Sequence, residues 1–512
     1  MGGDGRAARE YHERTKHSPA SVRASGHTLD WESQPIPYKI YEGLEPIPLP
    51  RAQAPLPMPA VQAVAGGDPP AGAAATLDLA ALARLLHLSA GIVRKVVYPG
   101  GREVYFRAAP CTGALYHVDL YVACADLVGL AAGLYHFGPH DFALRRLRAG
   151  DHRAALVEAA GRAPVLATAA AVVVCTSTFW RNAWKYQARA YRHCFWDGGT
   201  LLANLLAVAA ASRLPAQVVL GFADGAVNGL LDLDDAREVA LALVALGRDA
   251  APPPAAPAAP PLGLATVPLS ARAVDYPAIR AAHAATSLPS PEAARRWRED
   301  ASARPAAAAS RPEAAPSVPL APLAEPPAAP IDAVIRRRGS TRRFGPAPIT
   351  FAELSTMLAA AARPVPTDVA GGGRLGRLYV IAHAVAGLEA GTYALDHEHG
   401  GLATLGHGDF RREAGFLDLG QELAAEAAVN VYVLADLARL DDRGYRAAAL
   451  EAGLTGGRLY LAAYALGLGA TGLTFFDDAV VDFFSPHAAG MSVMFLVAIG
   501  HGRARGDVAA RA

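Results

Sequence analysis

A dense run of polar and aromatic residues, FWRNAWKYQARAYRHCFWDGG, occupies positions 179–199 and contains the adjacent pair Lys185 and Tyr186. A lysine desolvated against aromatic rings, or a tyrosine beside a cation, can have a pKa low enough to remove a proton from a substrate. The same pattern is typical of a helix start with an exposed basic face. Lys185 and Tyr186 are therefore the candidate catalytic residues, whereas Tyr191 and Arg192 are interpreted as structural or substrate-contacting.

A cluster of arginines surrounds Gly339 and Ser340 in the sequence IDAVIRRRGSTRRF. The arginines are at positions 336, 337, 338, 342 and 343. A planar guanidinium makes paired, charge-assisted hydrogen bonds to phosphate, and a serine hydroxyl adds a neutral donor. The cluster predicts an anion or phosphate clamp at a helix-to-loop passage, although a solvated basic turn would have the same composition.

A turn of small residues precedes a predicted strand in FRAAPCTGALYHVDLYV. The turn consists of Pro110, Cys111, Thr112, Gly113 and Ala114. Small residues let backbone N–H groups approach a flat ligand closely. We expect Cys111 to be a small packed residue beside that ligand, with a redox-active thiol as the alternative.

Several other polar residues are weaker candidates. His117 follows the small-residue turn and is expected to be a surface histidine. Asp224 and Asp478 occupy matching places in an internal repeat and are interpreted as caps of the helices that follow them. His12 and His17, in the N-terminal sequence YHERTKHS, could contact a substrate or belong to a docking segment.

The internal repeat consists of two pairs of matching segments in the same order. The segment that begins at Asp197 aligns without a gap with the segment that begins at Glu451, so that Gly199 matches Gly453. Upstream, LYVACADLVGLAAGLYHF from position 120 aligns with LYVIAHAVAGLEAGTYAL from position 378. The first pair predicts a long apolar helix, a short strand and a second helix, and the second pair predicts adjacent strands. The chain is therefore a duplication of one domain.

The two copies differ where a ligand would bind. The stretch before the first copy, GGDPPAGAAAT, has no arginine in place of the clamp. The second copy has PVPTDVAGGGRLGRLYV in place of the small-residue turn. One half keeps the clamp and the other keeps the turn, which predicts one composite site between two pseudo-equivalent domains.

A chain of 512 residues is too long to fold around a single hydrophobic core, so more than one domain is expected. Hydrophobic residues make up 52% of the chain, which is enough for large buried cores. Residues 44–76, 250–261 and 302–330 are rich in alanine and proline, which favours extended or disordered chain. We expect four regions along the chain. They are a partly ordered N-terminal extension over 1–76, a first domain over 77–249, an Ala/Pro-rich linker with an ordered middle segment over 250–330, and a second domain over 331–505.

The charge and the cysteine content give no support for several classes of function, namely nucleic-acid binding, membrane binding and metal binding. The formal net charge of +1 gives no electrostatic argument for a nucleic acid or an anionic membrane as partner. The four cysteines form no CxxC pair and no metal-ligand spacing. The N-terminus lacks the apolar core of a signal peptide, and apolar stretches such as 201–211 are too short to span a bilayer. We expect a cytoplasmic protein with no metal.

The motifs resemble those of the SagB/McbC-type dehydrogenases, the thiazole/oxazole-forming branch of the nitroreductase superfamily. RGSTRRF resembles the flavin motif RRSxRxF, and APCTGALYHVDLY resembles PSxGALYPxELY. GLGATG, at 467–472, and AIGHGRAR, at 498–505, resemble the later flavin segment and the terminal strand with its basic tail. The motifs follow the family's order over nearly the whole chain outside the Ala/Pro tracts.

The resemblance implies an α+β fold in which two fused nitroreductase-like domains form an intramolecular pseudo-dimer and hold one FMN at their interface. Its FMN-contacting residues would come from both halves. They would be Arg338, Ser340 and Arg342 at the phosphate and pyrimidine side, Ala470, Thr471 and Gly472 near the ring, Arg503 or Arg505 at the phosphate, and Pro110, Cys111, Thr112 and Ala114 from the first half.

The resemblance also implies an activity for Lys185 and Tyr186, because azoline-oxidising relatives carry a Lys-Tyr pair at this place. The expected reaction is dehydrogenation of an azoline in a ribosomal peptide, with hydride transfer to flavin and a cyclodehydratase as a candidate partner. One alternative is a nitro- or quinone-type reductase that uses NAD(P)H. Another is a non-catalytic subunit that binds a peptide or partner. The sequence leaves open whether the pseudo-dimer associates further.

Overall fold

The fold was analysed in a computed structural model, which describes residues 4–51, 54–66, 75–98, 100–101, 103–249, 251–303, 316–369 and 374–503. The helices are α1 (Arg6–Arg14), α2 (Pro19–Ala24), α3 (Ala60–Val64), α4 (Leu79–Ala90), α5 (Arg153–Ala159), α6 (Pro164–Ala167), α7 (Phe179–Tyr186), α8 (Ala190–Ala211), α9 (Asp224–Leu231), α10 (Pro277–Thr286), α11 (Pro291–Ala303), α12 (Ile331–Arg337), α13 (Phe351–Ala361), α14 (Arg411–Leu417), α15 (Glu422–Glu426), α16 (Asp442–Ala465) and α17 (Asp477–Phe484).

The strands are β1 (Pro46–Pro48), β2 (Ile92–Val97), β3 (Glu103–Arg107), β4 (Val118–Cys124), β5 (Gly133–Gly138), β6 (Ala143–Ala149), β7 (Ala171–Thr178), β8 (Ala216–Val219), β9 (Glu238–Leu246), β10 (Ser317–Pro319), β11 (Ile349–Thr350), β12 (Gly376–Ala382), β13 (Val385–Ala386), β14 (Gly391–Asp396), β15 (Gly401–His407), β16 (Val429–Ala435), β17 (Gly469–Gly472) and β18 (Ser492–Gly500).

Two seven-stranded sheets organise the chain, one in each half. Their strand orders are β1-β6-β5-β4-β7-β9-β8 and β10-β15-β14-β12-β16-β18-β17, and the strand pairs within them are antiparallel. Each strand of the first sheet therefore has a counterpart at the same position in the second sheet, and the counterparts follow the same order along the two copies of the repeat. The α+β pseudo-dimer predicted from the sequence is confirmed.

The Ala/Pro-rich segments contribute an edge strand to each sheet. Strand β1 pairs with β6, with Pro46 opposite Arg145, and β10 pairs with β15, with Ser317 opposite Ala403. Proline is tolerated at a sheet edge because its missing N–H need not join the ladder on the outer side. These short pieces of the proline-rich segments are therefore built into the two domains.

The long helices α8 and α16 cross at the centre of the molecule, where each contributes a glycine from the same repeat position. A Cβ at Gly199 would overlap the backbone oxygen of Leu450, and a Cβ at Gly453 would overlap the backbone oxygen of Trp196. The two backbones can approach this closely only because neither glycine carries a side chain.

The helical stretch 179–211, in which α7 and α8 are joined by a 3-10 turn at Gln187–Arg189, is longer than the apolar run 201–211 suggests. It has the length and apolar composition of a membrane span, but 94% of its most apolar window is buried inside the protein. This burial explains the apolar character by packing, because α8 lies between α16, α4 and the first sheet.

Buried ion pairs join the two halves reciprocally. Arg189 and Arg192, at the start of α8, pair with Asp477 of the second half at 3.0 and 2.6 Å. The N-terminal segment completes this cluster, because the backbone N–H of His17 donates to the Asp477 carboxylate at 2.7 Å.

The arginines at the matching repeat positions of α16 make the reciprocal ion pairs, with an aspartate of the first half. Arg443 and Arg446 contact the carboxylate of Asp224 at 2.9 and 2.5 Å, and the backbone N–H of Leu288 donates to the same carboxylate. Burial raises the pKa of Asp224, but the two arginines outweigh it and lower the pKa to about 2. The interpretation of Asp224 as a helix cap is wrong, because its side chain makes no cap hydrogen bond. Asp478 pairs with Lys16 and likewise makes no cap.

Candidate active site

A cavity of about 890 Å³ lies between the two halves and is open to solvent. Its volume falls in the range of about 300–1,000 Å³ that is usual for ligand and cofactor sites. The first half supplies the small-residue turn, the hairpin β2–β3 and the region around α7 and α8. The second half supplies the loop around Gly339 and Ser340 (residues 338–343, the arginine-rich loop), three residues of the segment 419–423, and residues 471–475. Pro110 and Arg338, one from each half, line the same cavity.

Asp197 on α8 fixes the small-residue turn. Its carboxylate accepts hydrogen bonds from the backbone N–H and the hydroxyl of Thr112 at 3.0 and 2.9 Å, and from the Cys111 thiol at 3.2 Å. The hydroxyl of Thr200, one helical turn later, donates to the backbone oxygen of Pro110 at 2.8 Å. Two side chains of a buried helix, Asp197 and Thr200, therefore hold the turn at the cavity.

His117 belongs to the same cluster and is fully buried, so the expectation of a surface histidine is wrong. One ring nitrogen lies 2.8 Å from the Asp197 carboxylate and the other lies 2.8 Å from the Ser177 hydroxyl. Burial, followed by the charge of Asp197, raises the pKa of the Cys111 thiol well above its ordinary value. A protonated thiol that donates to a carboxylate favours a packed residue over a redox-active one.

The Arg338 side chain reaches across the domain interface. Its Nε donates to the backbone oxygen of Ala108 at 3.1 Å, and its Nη2 donates to the backbone oxygen of Arg107 at 3.1 Å. Burial lowers the pKa of Arg338 from its ordinary value, partly offset by nearby tyrosines such as Tyr460. Arg338 therefore both lines the cavity and ties the second half to the strand that precedes the small-residue turn.

The rest of the arginine-rich loop lies on strand β17. The backbone N–H of Thr341 donates to the backbone oxygen of Ala470 at 2.9 Å, and the Ser340 hydroxyl lies 3.5 Å from the hydroxyl of Tyr460. Arg342 also lines the cavity and is exposed, with no hydrogen bond or ion pair to any residue that the structure describes. Its guanidinium is available to an anionic ligand.

Two of the predicted FMN contacts that the structure describes, Ala470 and Arg503, are not on the cavity wall. Ala470 is buried inside β17 and holds the arginine-rich loop through its backbone oxygen. Arg503 is exposed outside the cavity, with its side chain beside Gly345, and its backbone N–H donates to the backbone oxygen of Arg343 at 3.0 Å. Arg505 lies outside the described residues. Thr471 and Gly472 do line the cavity, as the sequence predicts.

Lys185 and Tyr186 both line the cavity at the end of α7, but not in the electrostatic state expected from the sequence. Lys185 is exposed, with Nζ 5.4 Å from the centre of the Tyr186 ring. Burial, followed by the charges of Asp197 and Cys111, raises the pKa of Tyr186, and Arg342 offsets only part of this rise. The expected desolvated lysine or acidic tyrosine is therefore wrong, and Tyr186 is a protonated phenol at neutral pH.

Other residues of the cavity were not predicted from the sequence. In the hairpin β2–β3, the Arg94 guanidinium stacks on the Phe106 ring at 4.5 Å, and both side chains line the cavity. Asp197 could have been found from the repeat, because it matches Glu451, whose carboxylate binds the backbone N–H groups of Leu375 and Gly376 in the second half. The sequence of the hairpin β2–β3 has no comparable feature from which its place at the cavity could have been predicted.

The pseudo-equivalent place on the other side of the interface is filled by protein. Gly472 of the cavity matches Val218 in the repeat, and there the backbone N–H of Val218 donates to the backbone oxygen of Pro366 at 2.8 Å. The Asp368 carboxylate accepts from the backbone N–H groups of Leu220 and Gly221 at 2.7 and 2.9 Å. The segment after α13 therefore covers the edge of β8 where the equivalent edge of β17 faces the cavity.

Comparison with known proteins gives a consistent result. The nitroreductase family model matches residues 74–248 and 335–501. A protein of Anabaena variabilis that is described as a nitroreductase has 28% sequence identity and a TM-score of 0.77, and the match covers 97% of this chain and 99% of that one. A nitroreductase-type protein of Methanocaldococcus jannaschii is 26% identical over 143 residues, which cover 28% of this chain and 71% of that protein.

The E. coli microcin synthetase McbBCD complex with truncated pro-MccB17 also matches. The identity is 18% and the TM-score is 0.31, over 48% of this chain and 93% of that one. A likeness at this level supports no inference about substrate or partner.

Proposed function

Because the chain belongs to the nitroreductase family, whose members are typically FMN-binding oxidoreductases, we propose that it is an FMN-dependent dehydrogenase of peptide-derived azolines. The observation that carries this proposal is that one cavity receives the arginine-rich loop from one half and the small-residue turn with Lys185 and Tyr186 from the other. The motif order in the sequence supports the azoline substrate. The same match supports domain boundaries near 77–249 and 331–505.

The residues of the cavity fit FMN. Arg342 offers a guanidinium that has no partner among the described residues, and Ser340 offers a hydroxyl, both on the side of the second half, which suits a phosphate and a polar ring edge. The small-residue turn, held by Asp197, offers a rigid backbone surface to a flat ring on the side of the first half. When bound, FMN would supply a two-electron acceptor.

Tyr186 would act as a neutral hydrogen-bond donor to the substrate. Its hydroxyl lies against Gly113, because a Cβ added at Gly113 would come within 2.9 Å of that oxygen. The contact keeps the phenol at the turn that faces the proposed ring site. Lys185, exposed beside it, would keep the mouth of the cavity positive and hold a carbonyl or carboxylate of the peptide chain.

The filled place at β8 supports one FMN in each chain. The proposal also includes a peptide substrate, a cyclodehydratase as the enzyme that would form the azoline, and a cytoplasmic location. The resemblance of the motifs supports these three points.

The experiment is purification followed by an absorbance spectrum, mass analysis of the released cofactor, and anaerobic mixing with an azoline-containing peptide. We expect bound FMN whose visible absorbance band is bleached by the peptide, with formation of the azole, and little bleaching by NAD(P)H. Rapid bleaching by NAD(P)H without peptide would favour a nitro- or quinone-type reductase. Protein that stays colourless after FMN is added would favour a non-catalytic binding subunit.

A further inference from the structure

Dehydrogenation requires an acceptor for a proton, and several titratable groups of the cavity are unsuited to that role. Tyr186 and Cys111 are protonated, because burial raises the pKa of both groups. The oxygens of Asp197 already accept hydrogen bonds from Thr112, Cys111 and His117. The exposed Lys185 is assigned above to a carbonyl or carboxylate of the peptide chain, so the acceptor must be sought elsewhere on the cavity wall.

His193, in the first turn of α8, lines the cavity and is only 3% exposed. Its Nδ1 lies 2.7 Å from Oδ1 of Asn182 on α7. An amide oxygen can only accept, so Nδ1 carries the hydrogen and the neutral ring has its lone pair on Nε2. Two neighbouring helices thus fix the tautomer and the direction of the imidazole.

The Nε2 atom of His193 has no hydrogen-bond partner among the described residues, and it is not one of the fully enclosed polar atoms. Nε2 of His12, by contrast, is fully enclosed without a partner. Since His193 lines the cavity, Nε2 is the ring nitrogen that remains for a ligand in that space.

The surroundings of His193 keep it neutral. Burial lowers its pKa well below the ordinary value, and the positive charges of Arg189 and Arg192, together with His117 and His17, add to the effect. These groups come from its own helical segment, from the loop before β4 and from the N-terminal segment. A neutral imidazole is the form that can accept a proton.

Aromatic rings place His193 beside the predicted catalytic pair. The Tyr186 ring packs edge-on against the imidazole at 4.6 Å between centres, and the Trp196 ring lies at 5.2 Å. A second histidine of the cavity, His17, has its pKa lowered to about 4, mainly by burial, but neither ring nitrogen has a partner among the described residues. His193 alone of these two has a fixed tautomer.

We propose that Nε2 of His193 is the proton acceptor in the dehydrogenation, an inference that rests on the proposed function. Bound FMN would supply the two-electron acceptor for the hydride, which one ring carbon of the azoline loses together with both electrons of its C–H bond. The neighbouring ring carbon loses its hydrogen as a proton to Nε2. The electron pair left by that C–H bond forms the new ring double bond, and the imidazolium then returns its proton to solvent.

The kinetic test compares His193→Gln with the wild type in anaerobic flavin reduction by an azoline peptide. General-base catalysis is worth about 10²–10⁴-fold, so we expect the rate to fall at least about 100-fold. FMN content and reduction by dithionite should be unchanged. His407→Gln is the control, because the His407 side chain is 50% exposed on β15 and lies outside the cavity. An unchanged rate in His193→Gln would overturn the proposal.

A variant of Asn182, which positions His193, gives a shift of the pH profile that a purely structural role of His193 would not produce. Asn182→Asp places a carboxylate at Nδ1–H and raises the basicity of His193. The rate requires the neutral imidazole, so it falls as pH drops through the histidine pKa. In Asn182→Asp that fall should therefore move to higher pH. A folded, FMN-bound variant with an unmoved pH profile would contradict the role of His193.

Chemical labelling separates this proposal from the proposed function. Diethyl pyrocarbonate reacts with a neutral, accessible imidazole nitrogen, so mass analysis of the apoprotein should find His193 modified, and FMN with an azole peptide should protect it. His407 serves as the accessible reference and His12 as the enclosed one. Lack of label on His193 would overturn the proposal. A wild type that leaves azolines unchanged would contradict the proposed function alone, and the labelling result then decides whether His193 presents a base to the cavity.

Discussion

Nε of Arg338 donates a hydrogen bond to the backbone oxygen of Ala108 at 3.1 Å, which joins the arginine-rich loop of the second half to the segment just before the small-residue turn of the first. Arg338 lines the cavity, as does Pro110, two residues after Ala108. The contacts that shape the proposed FMN site are therefore also contacts of the domain interface. Cofactor binding and domain packing should be coupled.

The substitution Arg338→Lys should weaken both FMN binding and the packing between the two halves. A lysine cannot reproduce the forked contacts to Ala108 and Arg107, and hydrogen bonds to charged groups contribute about 1.5–3 kcal/mol. We expect FMN to bind at least about tenfold more weakly, since about 1.4 kcal/mol corresponds to tenfold. Fluorescence titration of the apoprotein with FMN measures this. Arg336→Lys is the control, because Arg336 is exposed on α12, and an equal loss in the control would contradict the specific role of Arg338.

The helix crossing gives a test of the pseudo-dimer that needs no cofactor. Gly199→Ala places a Cβ into the backbone of Leu450 and Gly453, whereas a Cβ at the adjacent Gly198 is 3.4 Å from the nearest atom, on Leu241. We expect Gly199→Ala to lower the free energy of unfolding by about 1–3 kcal/mol or more, as overpacking does. Gly198→Ala should be neutral or stabilising by up to about 1 kcal/mol, because alanine is the better helix former. Denaturant unfolding monitored by far-UV circular dichroism compares the two, and equal effects would argue against the close crossing.

The buried carboxylate of Asp224 predicts how stability depends on pH. Its pKa is lowered from 3.8 to about 2 in the folded state, so its stabilising contribution is present above pH 4 and is lost as the pH falls towards 2. Asp224→Asn removes this dependence and leaves Arg443 and Arg446 unpaired, at a cost of about 3–5 kcal/mol. Thermal unfolding between pH 2 and pH 7 checks both effects.

Asp478→Asn is the control for that measurement. The Asp478 side chain is 69% exposed in its ion pair with Lys16. An exposed pair contributes at most about 1 kcal/mol. A loss of stability in Asp478→Asn as large as that in Asp224→Asn would contradict the burial of the charge at Asp224.

Tyr186 should affect turnover without affecting cofactor content. In Tyr186→Phe the phenol can no longer donate to the substrate, and we expect steady-state turnover of an azoline peptide to fall by about 100-fold or more, with FMN retained. Because burial raises the pKa of Tyr186, the wild type should show no loss of rate from its ionisation below pH 10. Loss of flavin from Tyr186→Phe would instead assign it a structural role.

Gly113→Ala perturbs the same phenol through its neighbour. The backbone of Gly113 has a φ of 64°, which alanine adopts poorly, and the new Cβ would come within 2.9 Å of the Tyr186 hydroxyl. We expect turnover to fall as in Tyr186→Phe. Gly225→Ala is the control, because nothing lies within 4 Å of a Cβ there. Full turnover in Gly113→Ala would show that the position of the phenol is not needed.

The sequence predicts the duplication, and it predicts the two segments that line the shared cavity, because repeats, glycines and arginine clusters are local signals. It predicts the state of individual side chains less well. The contact of His117 with Asp197, and the burial that raises the pKa of Tyr186, both depend on segments brought together across the fold, and no local pattern carries that information. The filled place at β8 depends on where the segment around Asp368 returns, which is set by packing between the halves.

The central claim is that two unlike halves of one chain bind a single FMN, and the stoichiometry of FMN per chain tests it most directly. Apoprotein titrated with FMN, with protein quantified by amino-acid analysis, should saturate at one FMN per 512-residue chain. Arg342→Gln, in the second half, should weaken binding at that one site. Saturation at two per chain, or no binding at all, would contradict the account.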